Sequence, residues 1–129
     1  MISPACDLPY LCGKIVLIAE PNALIAMDLA ATFSGWGARP LLYCDLDGPA
    51  QLAALATADA ALVDVPLNRE PLASLIQALK LRGVPTVLTT AGAAHNLSTE
   101  FPGLKIFEKP VVYPALAQWF CSAVSPRET

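Results

Sequence analysis

Short apolar runs alternate along this chain with longer segments whose apolar residues recur at helical spacing. Each run is almost free of polar residues, which is typical of strands buried on both faces of a parallel sheet. Glycine, proline, asparagine and aspartate cluster between the runs and indicate turns. The pattern predicts five strands, at residues 15–19, 40–44, 60–65, 86–89 and 104–107.

The segment after the first run predicts a helix with clear end signals. Asn22 can accept hydrogen bonds from the first helical N–H groups as an N-cap, and Gly35 or Gly37 can end the helix. At helical spacing, four apolar side chains are expected to face inward: Leu24, Ile25, Leu29 and Phe33.

The remaining helices differ in the strength of their signals. A weak helix covers 49–57, and a stronger one begins after Asn68 and ends at Gly83. Only 93–101 remains between the fourth and fifth strands, so we expect the fourth helix to be short or irregular. The last helix starts at Pro114. Its predicted buried stripe consists of Leu116, Trp119, Phe120 and Ala123.

Strands that alternate with helices in this order predict a single doubly wound α/β domain. We expect a flavodoxin-like, five-stranded parallel sheet in the order 2-1-3-4-5 with about five helices. At 129 residues the chain is long enough for one domain of this kind. The domain is expected over 14–124, between an N-terminal tail at 1–13 and a C-terminal tail at 125–129.

Composition narrows the classes of function. The chain is 55% hydrophobic, but no apolar run reaches the roughly 20 residues that a membrane-spanning helix needs. A net charge of −3 gives no basic footprint for direct binding of nucleic acid. The four cysteines lack the paired spacing of a zinc site. The first residues lack a signal-peptide pattern, so we expect a cytoplasmic protein with no membrane partner.

Charged residues lie at the ends of two predicted strands. Asp64 is near the end of the third apolar run, and Lys109 and Pro110 follow the fifth. The carboxyl ends of parallel strands meet at one edge of the sheet, where open α/β sheets bind ligands. The carboxylate and the ammonium should therefore share one crevice, which is suited to holding a phosphoryl group.

The order of elements and these strand-end residues resemble the receiver domain of response regulators, over 14–124. The resemblance implies that Asp64 accepts a phosphoryl group, that the hydroxyl of Thr90 contacts this group, and that Lys109 pairs with it. It also implies a cis peptide bond before Pro110. Thr89 is the alternative to Thr90 if the strand is shifted by one residue.

The acidic metal site departs from the pattern of the family. Receivers usually have two adjacent acids after the first strand, whereas this chain has Glu20 followed by Pro21. The resemblance implies that Glu20, Asp64 and the backbone carbonyl of Pro66 bind Mg²⁺, weakly because Pro21 removes one carboxylate. A one-residue insertion would instead place Glu20 in the position of the direct ligand. Ile106 occupies the aromatic switch position of the family.

Three functions follow as hypotheses. The first is a stand-alone receiver of a two-component phosphorelay, phosphorylated on Asp64 by a histidine kinase or a histidine phosphotransfer protein and signalling through protein contacts. A homodimer is left open. The second is a degenerate receiver that binds a protein partner without phosphate, which Pro21 and Ile106 favour. The third, a flavodoxin-like enzyme or small-ligand binder, lacks a glycine-rich phosphate loop after the first strand. We expect a signalling phosphoacceptor with at most slow self-phosphorylation and self-dephosphorylation, and not an enzyme.

Overall fold

The computed structural model describes residues 11–43, 48–65, 70–92 and 99–124, apart from the side chains of 48–52 and 70–72. Its centre is one parallel sheet of five strands in the order β2-β1-β3-β4-β5. The predicted fold class and strand order are therefore confirmed. The strands are β1 (Ile15–Ala19), β2 (Arg39–Leu42), β3 (Ala60–Asp64), β4 (Thr86–Thr90) and β5 (Lys105–Glu108).

Four α-helices of the described ranges pack on this sheet. They are α1 (Ala23–Gly35), α2 (Gly48–Thr57), α3 (Glu70–Leu81) and α4 (Tyr113–Ala123). The short helix predicted between β4 and β5 falls mostly on 93–98, and its continuation at Thr99 and Glu100 is helical. Residues 93–98 and the predicted cap Asn68 lie outside the described residues. Within the described ranges, every helix is too short or too polar to cross a bilayer.

Helix α1 begins as the sequence predicts but buries a different stripe. The side-chain oxygen of Asn22 accepts hydrogen bonds from the N–H groups of Leu24 and Ile25, at 3.0 and 3.2 Å. The prediction that Leu24 and Ile25 face inward is wrong, because Leu24 is 80% exposed and Ile25 is 37% exposed. A helix turns by about 100° per residue, so Leu24 lies opposite the buried stripe. That stripe consists of Ala26, Leu29 and Phe33.

The sheet separates two apolar cores. Successive side chains of a strand point to opposite faces, so alternate residues enter opposite cores. Val16 and Leu62 pack on the side of α1 and α4, whereas Leu17 and Val63 pack on the side of α2 and α3. Every strand-end side chain is thereby assigned to one side of the sheet by its parity.

The core on the α1 and α4 side also includes Leu11, which is fully buried. The sequence places this residue in the tail at 1–13. Near it, the N–H of Gly13 donates a hydrogen bond of 2.8 Å to the carbonyl of Gly37 at the end of α1. Leu11 is thus part of the core, although it precedes the first predicted strand. An isolated leucine in an irregular segment has no period from which its burial could be inferred.

Aromatic rings join α1 to α4. Phe33 and Phe120 are fully buried, and their ring centroids lie 5.1 Å apart in an edge-to-face arrangement. Trp36 packs edge-on against Phe33 at 5.2 Å, and Trp119 packs against Phe120 at 5.0 Å. The prediction that Trp119 is buried is only partly confirmed, since this side chain is half-buried.

Replacing Phe33 with alanine should lower the free energy of unfolding by about 3–5 kcal/mol, because the change leaves a cavity between α1 and α4. Urea denaturation followed by circular dichroism measures this loss. Leu24→Ala in the same helix is the matched control, and we expect a change within about 0.5 kcal/mol because this side chain is exposed. Equal losses in the two variants would contradict the burial assigned to α1.

Candidate functional site

Four polar side chains meet at the carboxyl edge of the sheet, on the side of α1 and α4. Asp64 ends β3 and Thr89 is its register partner in β4, while Glu20 directly follows β1 and Lys109 directly follows β5. Each is two residues beyond a side chain that packs in the α1 and α4 core, so each points to the same face. These preceding core side chains are Ile18, Leu62, Val87 and Phe107.

The ammonium of Lys109 bridges two carboxylates. Its Nζ lies 2.7 Å from Oδ1 of Asp64 and 3.0 Å from Oε1 of Glu20. Glu20 is 2% exposed and the side chain of Asp64 is 10% exposed, so both acids are largely removed from water. The structure therefore brings together three of the residues that the sequence predicts for the site.

The charge of Lys109 is held in place by these neighbours. Burial lowers the pKa of Lys109, but the hydrogen bonds and negative charges of Asp64 and Glu20 outweigh this effect. The net result is a pKa above the ordinary value of 10.5, and the side chain is an ammonium at neutral pH. Without it, two like charges would face each other in a region of low dielectric, which is strongly unfavourable.

Glu20 is held at both of its oxygens. While Oε1 pairs with Lys109, Oε2 accepts a hydrogen bond of 3.0 Å from the backbone N–H of Asn22. Asn22 is also the N-cap of α1, so the carboxylate is attached to the first turn of this helix. The positive end of the helix dipole favours an acid in this position.

The two threonines at the end of β4 face different surroundings. The hydroxyl of Thr89 donates to Oδ1 of Asp64 at 3.3 Å, and Thr89 is almost fully buried. The hydroxyl of Thr90 instead donates to the carbonyl of Gly92 and accepts from the N–H of Gly92 at 3.2 Å. In the described part of the chain, Asp64 thus accepts its threonine hydrogen bond from the alternative, Thr89, and the hydroxyl of the sequence-preferred Thr90 bonds to Gly92. The parity of β4 could have identified Thr89, because it shares the face of Val87.

The two oxygens of Asp64 have different environments. Lys109 and Thr89 both contact Oδ1. Among the described residues, neither a hydrogen bond nor an ion pair reaches Oδ2. One oxygen is therefore neutralised and fixed, while the other has no such partner within the described ranges.

A cleft of about 450 Å³ adjoins this group of side chains between α1 and the segment that leads from β5 into α4. Its walls are mainly apolar, and its polar lining residues are Glu20, Thr89, Lys109 and Tyr113. Beside the cleft, the hydroxyl of Tyr113 donates a hydrogen bond to Oδ2 of Asp28. Burial, together with the hydrogen bond to Asp28 and the charge of Asp28, raises the pKa of Tyr113 to about 12. The other lining residues are Ile25, Leu29, Pro110 and Val111.

The donor set for a metal ion is small. Within the described ranges no group of three or more histidine, cysteine, aspartate or glutamate side chains is arranged to hold a metal. Glu20 and Asp64 provide two carboxylates, and the predicted third ligand, the carbonyl of Pro66, lies outside the described residues. Pro21 is exposed beside Glu20 and has no acidic group. Mg²⁺ commonly uses one or two carboxylates and keeps several waters, so these residues fit a magnesium ion held mainly by water and Asp64.

Strand β5 leads into Lys109, and its two apolar residues point to opposite faces of the sheet. Phe107 packs in the core of α1 and α4, and Ile106 packs in the opposite core, as their alternation predicts. The backbone N–H of Lys109 donates to the carbonyl of Thr90 at 2.7 Å, which joins the end of β5 to the end of β4. The Lys109–Pro110 peptide bond is cis, as the resemblance implies.

No protein-family model and no curated protein matches this chain. Solved structures do match it. The REC domain of the PhyR response regulator from Erythrobacter litoralis is 20% identical with a TM-score of 0.68, over 92% of this chain and 98% of that chain. SdrG from Sphingomonas melonis Fr1 is 26% identical with a TM-score of 0.62, over 88% and 98%.

A CheY-like receiver domain protein from Methanospirillum hungatei is also similar, with 20% identity and a TM-score of 0.62 over 87% of this chain and 94% of that chain. These similarities cover between 87% and 92% of this chain. The chain therefore has the fold of a response-regulator receiver domain, as its strand-end residues predict.

Proposed function

We propose that this protein is a receiver of a two-component phosphorelay that accepts a phosphoryl group on Asp64. The observation that carries the proposal is the position of Lys109, which neutralises one oxygen of Asp64 and leaves the other without a described partner. A strand-end carboxylate with an adjacent ammonium is the arrangement that phosphoryl transfer needs, because the protein contributes positioning and neutralisation of charge.

The reaction is a displacement at phosphorus. Oδ2 of Asp64 forms the new bond to phosphorus, the phosphorus–nitrogen bond of a donor phosphohistidine breaks, and the leaving nitrogen keeps the electron pair. Lys109 then exchanges its contact with Oδ1 for a phosphoryl oxygen. Thr89 holds Asp64 before transfer, and the hydroxyl of Thr90 turns from Gly92 to a phosphoryl oxygen afterwards.

The roles of Glu20 and of Mg²⁺ follow from charge. Bound Mg²⁺ would neutralise oxygens of the transferred group, with Glu20, Asp64 and water as its ligands. Glu20, Asp64 and Lys109 together give the site a formal charge near −1. A further carboxylate at position 21, about 4 Å from the ion, would strengthen the electrostatic attraction of the site for Mg²⁺. The gain is roughly 4 kcal/mol per unit charge at an effective dielectric of about 20. Pro21 therefore weakens the metal site.

The proposed partners are a histidine kinase or a histidine phosphotransfer protein in the cytoplasm. The signal would pass on through protein contacts, with neither nucleic acid nor a membrane as a direct partner. Catalysis is confined to slow self-phosphorylation and self-dephosphorylation.

A degenerate receiver that binds its partner without phosphate is the second candidate. The observation that favours it is the ion pair between Lys109 and Glu20. The ammonium that a phosphoryl group would need is already paired with this carboxylate. Pro21 also favours this candidate, because proline has neither a backbone N–H donor nor a side-chain oxygen that could bind a metal ion.

Incubation with phosphoramidate and Mg²⁺ should add one phosphate to the wild-type protein, as measured by intact mass. Asp64→Asn should gain none, because its amide is a poor nucleophile. Glu108→Gln is the matched control, since it removes an exposed acid of the same edge, and it should be phosphorylated like the wild type. An unmodified wild type would contradict the first proposal and support the degenerate receiver.

Pro21→Asp should raise the affinity for Mg²⁺ about tenfold or more, because it restores a second acid beside Glu20. Isothermal titration calorimetry measures the affinity. Ala23→Asp adds the same charge two residues further on, at the exposed start of α1, and should change the affinity by less than about threefold. A similar gain in both variants would show a general effect of charge and would contradict a site centred on Glu20 and Asp64.

Thr89→Val should slow phosphorylation by about threefold to tenfold, because Asp64 loses the hydroxyl that fixes its Oδ1. It should also move the NMR signal of the Asp64 carboxyl carbon in the free protein. Thr90→Val should leave that signal in place and instead weaken the binding of beryllofluoride, a phosphoryl mimic. The reverse pattern in the two variants would overturn the roles assigned to these threonines.

A further inference from the structure

The charges of this protein are divided between the two edges of its sheet. Five of the six lysine and arginine residues within the described ranges lie at the amino edge, opposite the candidate site. Lys109 is the sixth and lies at the carboxyl edge. The five at the amino edge are Lys14 before β1, Arg39 at the start of β2, Lys80 and Arg82 at the end of α3, and Lys105 at the start of β5. The cations of this acidic chain therefore concentrate at one edge, which also carries Asp59 before β3.

A concave surface lies at this edge, which we call the basic groove. It has a volume of about 520 Å³ between the end of α3, the starts of β4 and β5, and α4. Its lining combines two exposed lysines with partly buried apolar residues, and none of its described lining residues is an aspartate or a glutamate. The residues that matter are Lys80, Val84, Pro85, Leu104, Lys105 and Trp119.

Both lysines of the groove are exposed. In the described parts of the chain, no carboxylate forms an ion pair with Lys80 or Lys105. The Nζ of Lys105 lies 5.2 Å from the ring centre of Phe107, a cation–π contact that still leaves its donors free to bind an anion. Trp119 contacts Phe120 by its edge and remains half-exposed in the groove. Tryptophan that is part apolar and part accessible is typical of binding hot spots.

We propose that the basic groove is a docking site for an acidic protein segment that places one apolar side chain between carboxylates. The apolar lining would receive that side chain, and Lys80 and Lys105 would pair with the flanking carboxylates. A concave site with two separated cations suits a peptide better than a lipid surface, which needs projecting apolar residues. The site is remote from Asp64 and does not depend on the proposed phosphoryl transfer.

The test uses the peptide Glu-Glu-Leu-Glu-Glu, blocked at both ends, as the probe. NMR spectra of the indole N–H groups report on binding, because Trp36 and Trp119 are the only tryptophans and Trp36→Phe assigns the two signals. Addition of the peptide should shift the signal of Trp119 and leave that of Trp36 in place. The affinity should fall as salt rises from about 50 to about 300 mM, as for any contact made by exposed charges.

Two double variants locate the site. The variant with both Lys80→Gln and Lys105→Gln should bind the peptide with an affinity roughly fivefold to tenfold lower, because two exposed ion pairs are lost. Lys14→Gln with Arg39→Gln removes the same charge from the other end of the same edge and should weaken it by less than about twofold. These are surface changes, and matching unfolding curves confirm that the variants are folded.

Three outcomes would overturn the proposal. One is the absence of a shift at Trp119 up to millimolar peptide. Another is an equal loss of affinity in both double variants, which would show a diffuse electrostatic effect in place of a groove. The third is binding of vesicles that contain anionic phosphatidylglycerol, lost in the Lys80 and Lys105 variant, when the peptide does not bind.

Discussion

The candidate site depends on one ammonium placed between two carboxylates. Glu20 is buried and Asp64 nearly so, and both are within 3.0 Å of Lys109. Burial of a charge is costly unless the charge is paired and hydrogen-bonded, and Lys109 supplies that pairing for both carboxylates. The same contact neutralises Oδ1 of Asp64, whereas no described residue pairs with or hydrogen-bonds to Oδ2. A single residue therefore both stabilises this edge and fixes one oxygen of the proposed phosphoacceptor.

The construction of this site follows from the two-residue period of β-strands. Glu20, Asp64, Thr89 and Lys109 come from four different strands or strand ends, up to 89 positions apart. They meet because each continues a series of side chains that is already fixed in the α1 and α4 core. A shift of one residue in any strand would send its side chain to the opposite core. The apolar packing of the strands thus specifies the polar site at their ends.

Much of this arrangement was predictable from the sequence, and the failures have physical causes. The five apolar runs identify the strands because buried parallel strands have few polar residues, and the end residues Asp64 and Lys109 follow directly. The prediction that Asn22 is the N-cap of α1 is correct, because an N-cap is a local interaction between neighbouring residues. The prediction that Leu24 is in the core is wrong. Several apolar residues follow one another at the start of α1, and the sequence alone does not show which of them face the sheet. To identify Thr89 as the partner of Asp64, one needs the register of β4 against β3, which depends on contacts between distant segments.

Asn22 has two contacts whose combination matters beyond the charges themselves. Its N–H holds Oε2 of Glu20, and its side chain closes the first turn of α1, where Leu24 and Met27 are exposed. Withdrawal of Lys109 from Glu20 would release one side of this carboxylate and thereby loosen the anchor of the helix. Lys109, Glu20, Asn22 and the exposed start of α1 thus form one continuous chain of contacts from the crevice to the helix.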